Sequence, residues 1–438
     1  MQSRNKEFFS YVIPSVLAFA LSGVYTIVDG FFIGQSLGDM GLAAITLGYP
    51  VSALVGAVGT GIGLSGAIRY TILKARGKTK QMQECFTGTA LLMLLSGVLL
   101  TVLLYGFAGP ILHLLGAKGD VLRLSAEYVR IIALGAVFQL LATGFVPFIR
   151  NMDGASFAVI AMILGFVTNI ILDYTLVWVL TLGMSGAALA TIIGQAVTMI
   201  ASVVFFLTKK CRLSILSRKA LTELWKEVLK VAVSPFGLTF SPTVTMLLMN
   251  RLLLLYGDER SVAVYGCIGY ITSIIYLLLQ GVGDGSQPLV SRFYGENDVD
   301  GVKHTRNSAY KTAAVITAVC MFGIFLARKQ IGVLFGASAE TNAGVARYLP
   351  YFLATLLFLA FVRIMTSYFY ATEETVMSYI LVYAEPVCTF LLLLILPPVL
   401  KLTGVWLAVP LAQMMTFFIG LVESRVAAKR ERKLHAAS

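Results

Sequence analysis

Long apolar runs dominate the chain, and the polar residues between them fall in short, mostly basic clusters. A helix needs roughly 20 mostly apolar residues to cross a bilayer. Twelve segments meet that length, at about 9–33, 44–68, 87–109, 130–149, 157–180, 186–208, 229–255, 262–286, 308–327, 348–370, 377–399 and 404–423. Runs such as ALLMLLSGVLLTVLLYGF are continuous. They lack the alternation of a barrel strand and suit helices, which satisfy their own backbone groups in lipid. The predicted fold class is an all-α polytopic membrane protein with 12 transmembrane helices.

The pattern repeats. LAAITLGYPVSALVGAVGTGIGLSGAIRYTILKARGKTKQ in span 2 parallels VAVYGCIGYITSIIYLLLQGVGDGSQPLVSRFYGENDVDG in span 8, about 220 residues later. Both carry a Gly-Tyr pair (Gly48–Tyr49 and Gly269–Tyr270), a Gly-rich inner third and a basic exit. The glycines of both segments suit close helix packing. An even repeat of six spans keeps its orientation, as in transporters whose halves are related about the membrane normal. The reading is a six-helix lobe at 1–212, a cytoplasmic linker at 213–228 and a second six-helix lobe at 229–438. The basic, amphipathic stretch KKCRLSILSRKALTELWKEVLK is expected to lie along the membrane surface.

Composition agrees. Of 438 residues, 58% are apolar and 13% charged, too few charged groups to cover a water-soluble body. The net charge of +12 has a local cause. With the N-terminus inside, inner segments hold 24 Lys and Arg. Outer segments hold seven: Lys118, Arg123, Arg260, Arg328, Lys329, Arg347 and Lys401. Cytoplasmic loops carry such an excess, so both termini are placed in the cytoplasm. No basic face with an aromatic platform suggests nucleic acid. Basic inner loops and the absence of a targeting sequence suit a prokaryotic plasma (inner) membrane. The N-terminus runs straight into apolar sequence and reads as the first span rather than a removed signal. The five cysteines lack ligand or framework spacing.

Ionisable groups within lipid are expensive and by default line a cavity or have a partner. Asp29 in span 1 and Asp173 in span 5 reach a similar depth in the outer half. Asn169 precedes Asp173 by one helical turn, and Thr191 lies about one turn into span 6. They either share a cavity or are two separately hydrated interfacial acids; the common depth favours a cavity. Carboxylate, amide and hydroxyl groups there suit a proton or a small hard cation such as sodium. Pro14 either kinks span 1 or marks its start. Asp284 is expected near the inner surface, paired with Arg292. Arg363 and Glu385 fall near mid-membrane in spans 10 and 11, as a static tie or part of a substrate path. Tyr25, Phe138, Phe148, Tyr276 and Tyr368 are candidates to line a cavity for an amphipathic cation.

The sequence has no nucleotide-binding loop and no H-E-x-x-H motif, and His113, His304 and His435 fall outside the spans. Asp29 and Asp173 keep a membrane-embedded enzyme as an alternative, and a non-transporting scaffold is another. Twelve spans in two similar halves favour alternating access over a channel.

Three segments carry a resemblance over essentially the whole chain: IPSVLAFALSGVYTIVDGFFIGQSLGDMGLAAITLGYPV, VTNIILDYTLVWVLTLGMSGAALATIIGQ and GVGDGSQPLVSRFYGEND. They are similar to the multidrug and toxic compound extrusion (MATE) family, in its DinF-like and MepA-like branch. The resemblance implies two six-helix lobes forming a V. It also implies a secondary antiporter, without ATP hydrolysis or a cofactor, that exports cationic amphipathic compounds for protons or sodium. Pro14 then matches the bending proline of helix 1, Asp29 its coupling carboxylate, Asn169 and Asp173 the polar pair of helix 5, and Thr191 the hydroxyl of helix 6. The NorM-like branch has cation-binding acids in helices 7 and 10. Here span 7 has no Asp or Glu and span 10 offers Arg363, which shifts the expected coupling to the N-terminal lobe, with the proton ahead of sodium. If sodium couples, Asp29 and Asp173 are its ligands; no other metal site is assigned. The runner-up is a lipid-linked oligosaccharide flippase of the same superfamily, whose basic cavity contrasts with the acidic one here. The expected partners are organic cations and the bilayer, and the expected functional form is a monomer.

Overall fold

The computed structural model describes residues 2–334 and 337–437. Met1 and Ser438, the outer bounds of the predicted lobes, lie outside the described residues, as do the side chains of 428–437, including His435 and the basic groups of the tail. The chain is helical almost throughout: α1 (Gln2–Ala75), α2 (Thr79–Leu114), α3 (Gly119–Leu134), α4 (Ala136–Asn151), α5 (Ala155–Leu172), α6 (Gly183–Thr208), α7 (Arg218–Tyr256), α8 (Glu259–Gly295), α9 (Val299–Ala327), α10 (Ile331–Leu334), α11 (Ala339–Leu353), α12 (Leu356–Ala371), α13 (Thr375–Leu400) and α14 (Leu402–Ala437). A π-helical segment, Asp173–Val179, continues α5.

Among the described residues ten helices are long and apolar enough to cross a bilayer, and the bent pairs α3–α4 and α11–α12 bring the number to twelve. This is a multi-pass membrane protein. Two candidate spans, Ser3–Tyr25 and Met40–Ala75, lie in α1. The helix passes between them at Gly38, whose φ of 60° and ψ of −151° are strained for any residue with a Cβ.

Two predicted boundaries move. Hydropathy starts the fourth and tenth spans at 130 and 348, but their helices begin at Gly119 and Ala339. Asp120, Arg123, Glu127 and Arg130 dilute the first of these segments, and Glu340 and Arg347 the second. Both pairs are bent, by 58° and 47°. Each outer bound of the second pair falls 220 residues after its counterpart, 339 against 119 and 371 against 151. The internal repeat thus extends to a broken fourth helix in each half.

The expected surface linker also changes. Residues 211–217 are irregular, and α7 then runs unbroken from Arg218 into the seventh span. Its first turns dock on α2: the Trp225 indole donates to the Gly88 carbonyl at 2.9 Å, and Leu224 and Val228 are buried. The amphipathic face is covered by protein rather than by lipid headgroups.

The helices group into two compact units. One comprises Met1–Phe240 with Asp284–Val302, the other Ser241–Gly283 with Lys303–Ser438. In the first, α1 packs most extensively on α4, and α5 on α6. Small residues set the closest approaches. A Cβ at Gly63 would meet the Gly144 Cα at 2.2 Å, and one at Gly194 would meet the Gly165 carbonyl at 2.8 Å. In the second, α13 lies along α14, and Trp406, fully buried, stacks on Tyr348 with ring centroids 4.3 Å apart. Gly63→Ala is expected to destabilise the protein by about 1–3 kcal/mol, the usual range for overpacking. Gly106→Ala, with nothing within 4 Å of its Cβ, is the neutral comparison in a thermal melt.

Candidate functional site

The first unit brings Asp29, Asn169, Asp173 and Thr191 into one neighbourhood. Asp29 lies on α1 and is partly accessible, whereas Asn169 and Asp173 are 2% and 0% exposed and Thr191 is buried. Asp173 is the first residue of the π-helical segment. Such segments often mark functional positions, and here the change of helical register falls on the acid itself. Close approach at Gly194 seats α6 against α5 beside Asn169: an added Cβ would lie 3.0 Å from the Asn169 Cβ.

The carboxyl groups of Asp29 and Asp173 lie within hydrogen-bonding reach of each other. A carboxyl–carboxyl hydrogen bond requires a proton on one of the two groups. Otherwise Asp29 Oδ1, both Asp173 oxygens and both polar atoms of the Asn169 amide are buried without a hydrogen-bond partner. Buried polar groups are seldom left so. The Thr191 hydroxyl donates to the Ala187 carbonyl at 3.0 Å, leaving its oxygen to accept, and the Tyr25 and Tyr128 hydroxyls both reach it. The Tyr25 ring stacks on Phe166 at 5.1 Å. The space between Tyr25, Asn169, Thr191 and Gln195 has room for about one water molecule. It therefore suits an ion or a proton and excludes a drug-sized molecule.

Tyr128 and Gln139 are absent from the sequence reading. Tyr128 falls in the segment that hydropathy leaves outside span 4. A usable signal was there, since Ser125, Tyr128, Val129, Ile132 and Ala133 recur at helical spacing and are all buried. Gln139 donates from Nε2 to the Ser52 carbonyl at 3.1 Å and to its hydroxyl at 3.2 Å, and a single buried glutamine gives no pattern to detect. Pro14 lies inside α1, which continues through it; among the described residues the non-helical position of α1 is Gly38.

A second polar group lies in the other unit. Gln413 Nε2 donates to the Tyr276 hydroxyl at 2.7 Å and to Glu385 Oε1 at 3.2 Å, and the Thr355 hydroxyl donates to Gln413 Oε1 at 2.7 Å. The Arg363 guanidinium lies over the Tyr276 ring, 5.1 Å from its centroid. Arg363 and Glu385 are near enough for charge to act between them, but among the described residues they form no direct ion pair. Tyr276 and Gln413 stand between them.

The expected Asp284–Arg292 pair is corrected. Asp284 is buried and pairs with Arg150 at 3.7 Å, while Arg292 pairs with Glu7 at 2.7 Å. α4 runs on past the predicted span end at 149 to Asn151, so Arg150 lies inside the helix and is buried. Asn151 and Gln287 exchange amide hydrogen bonds at 2.9 and 3.2 Å, and the Thr71 hydroxyl donates to Asn151 at 2.6 Å. Arg4 pairs with Asp298 at 2.8 Å. Asp153 accepts from the Tyr11 hydroxyl at 2.7 Å and pairs with Lys74 at 2.9 Å. Burial works against its ionisation, but the Tyr11 hydroxyl and Lys74 ammonium outweigh that and hold its carboxyl below the usual value. Of the candidate lining aromatics, Phe148 is instead packed in the core with Tyr70 and Phe86, and Tyr368 lies beneath Arg306.

Comparison with known proteins agrees with the fold. The MatE family model matches residues 14–175 and 231–399. A relative called multidrug export protein MepA, from Staphylococcus saprophyticus, is 28% identical over 350 residues, covering 78% of this chain and 76% of its own. A protein of the same name from Staphylococcus haemolyticus is 25% identical over 95% of this chain and 92% of its own. A solved outward-facing multidrug resistance MATE family transporter superposes with a TM-score of 0.90 at 24% identity, over 98% of this chain and 97% of its own. A transporter of the MOP superfamily from Pyrococcus furiosus, described as having a binding pocket of reversed polarity, gives 0.89 at 23%, over 97% and 96%. The family match spans both halves of the chain, so this chain belongs to the MatE family of secondary transporters and is not an enzyme.

Proposed function

We propose that this chain is an antiporter that expels cationic amphipathic drugs or toxic organic compounds from the cell in exchange for protons. The observation that carries this is the contact of partly accessible Asp29 with buried Asp173, with the Asn169 amide beside it. The names of the staphylococcal relatives support multidrug export. Hydrogen-bonding reach between the carboxyl groups suits a proton held between them better than a larger ion. Sodium is the second reading, supported by the unpartnered Asn169 oxygen beside two carboxylates. The acidic character of the site supports cationic cargo over the pyrophosphate head group of a lipid-linked oligosaccharide.

In the proposed cycle the outward-open protein takes a proton at Asp29 and Asp173. Neutralising the pair weakens its attraction for a bound organic cation, which leaves outward. Pro14, with no N–H to lock α1 at that turn, lets the helix repack as the pair changes charge. The proton-loaded protein then turns inward, releases the proton and accepts new cargo. The protein works as a monomer in a prokaryotic plasma membrane, with the basic loops and both termini in the cytoplasm, as the 24-to-7 distribution of Lys and Arg supports. The test is ethidium movement in sealed liposomes under separately imposed proton and sodium gradients. Movement with the proton gradient alone is expected. Movement with the sodium gradient alone would replace the proton by sodium, and movement under neither would overturn exchange.

A further inference from the structure

The second unit holds a charge arrangement that the exchange cycle does not use. Arg363, Glu385, Tyr276 and Gln413 come from four different helices, α12, α13, α8 and α14, each well away from its helix ends. Charged side chains at such depth are kept for a function unless they pair with one another. These two do not pair. Among the described residues Arg363 makes no ion pair or hydrogen bond; its partner is the face of Tyr276. A ring face attracts the guanidinium but satisfies none of its five N–H donors. It is nonetheless held at 7% exposure.

The hydrogen bonds around Glu385 fix what remains available. Gln413 commits its oxygen to Thr355 and its two N–H groups to Tyr276 and Glu385. Of the three, the bond to the Glu385 carboxylate, which can only accept, fixes the orientation of the amide. Glu385 Oε1 is therefore held as an acceptor, while its second oxygen has no partner among the described residues. The Tyr276 oxygen accepts from Gln413, which leaves its own hydrogen to donate. Glu385 and Tyr276 are also partly exposed, although both belong to span helices. The cluster thus presents a carboxylate and a guanidinium joined through the Gln413 amide and the Tyr276 phenol. A simple organic cation gains from Glu385 and is repelled by Arg363. A molecule carrying both signs gains from each.

We propose that this cluster is a cargo-recognition site for zwitterionic amphiphiles, with Arg363 taking a carboxylate and Glu385 the cationic group. The inference rests on the export function proposed above, and it separates carboxylate-bearing cargo from permanent cations. Arg363 presents a planar donor fork matched to a carboxylate, which Lys does not reproduce.

The test is equilibrium binding of two fluorescent probes to the purified protein in lipid nanodiscs. Rhodamine B carries a free carboxylate beside its cation; its ethyl ester carries the cation alone. Arg363→Met is expected to weaken rhodamine B by about tenfold, as for one lost charge-assisted contact, and not to weaken the ester, which loses only the repulsion of a like charge. Arg363→Lys should fall between. Glu385→Gln should weaken both probes, because both carry the cation. An equal response of acid and ester to Arg363→Met would overturn the proposal, as would unchanged binding in Glu385→Gln or no binding of rhodamine B to the unsubstituted protein. Binding is read without a gradient, so loss of coupled export with these contrasts intact counts against the exchange cycle alone.

Discussion

Replacing either Asp29 or Asp173 by Asn is expected to reduce gradient-driven ethidium export to the level of protein-free liposomes. Asn fills nearly the same volume and keeps hydrogen-bonding capacity, so the helices should still assemble. What is lost is the ability to cycle between a charged and a neutral form. The two carboxyl groups lie within hydrogen-bonding reach, so one proton serves both. The substitutions should therefore not add: the double variant is expected to be no worse than either single one, as for residues that act as a unit. Measurement at matched protein density, with folding checked by thermal melt, separates this from misassembly. Additive losses from two partly active singles would mean that each acid acts alone.

The second large effect is on stability. Arg150 and Asp284 have side chains 7% and 5% exposed and lie 3.7 Å apart. Removing one charge strands the other in a medium of low dielectric constant. Arg150→Met is expected to cost about 3–5 kcal/mol, the range for breaking a buried pair. The double variant Arg150→Met/Asp284→Leu should recover most of that loss, since a packed apolar pair of similar volume is often neutral or better. A double-mutant cycle of thermal unfolding reads the coupling directly. A double variant as unstable as the sum of the singles would mean that the two groups are stabilised by other neighbours and not by each other.

The outline of the fold was open to sequence reasoning because lipid imposes a single strong condition, a run of apolar residues long enough to cross it. Where that condition weakens, so does the reading. The first helices of the two bent spans carry charges near the membrane surface and fall below the hydropathy expected of a span, so Tyr128 falls outside the span that hydropathy predicts. The start of α7 carries four basic residues among 218–230 and reads as a surface helix, yet Leu224 and Trp225 meet α2 and Val228 is buried. Asp29, Asn169, Asp173 and Thr191 could be brought to one depth from the lengths of three helices. Their common facing depends on helix rotation, which the close contact of Gly194 with Asn169 and Gly165 sets. The register shift at Asp173 leaves no mark in composition. Neither does the exchange of partners between Asp284 and Arg292, because ion pairs across distant segments depend on packing rather than on spacing along the chain.

The most direct test of the exchange mechanism is proton release on cargo binding. Purified protein in weakly buffered solution with a pH-sensitive dye would be titrated with ethidium. If Asp29 and Asp173 hold the proton exchanged for cargo, ethidium binding to the unsubstituted protein releases about one proton per protein, the capacity of a pair sharing a single proton, and neither Asp29→Asn nor Asp173→Asn releases any. Ethidium binding without release from the unsubstituted protein, or equal release from the variants, would contradict the mechanism.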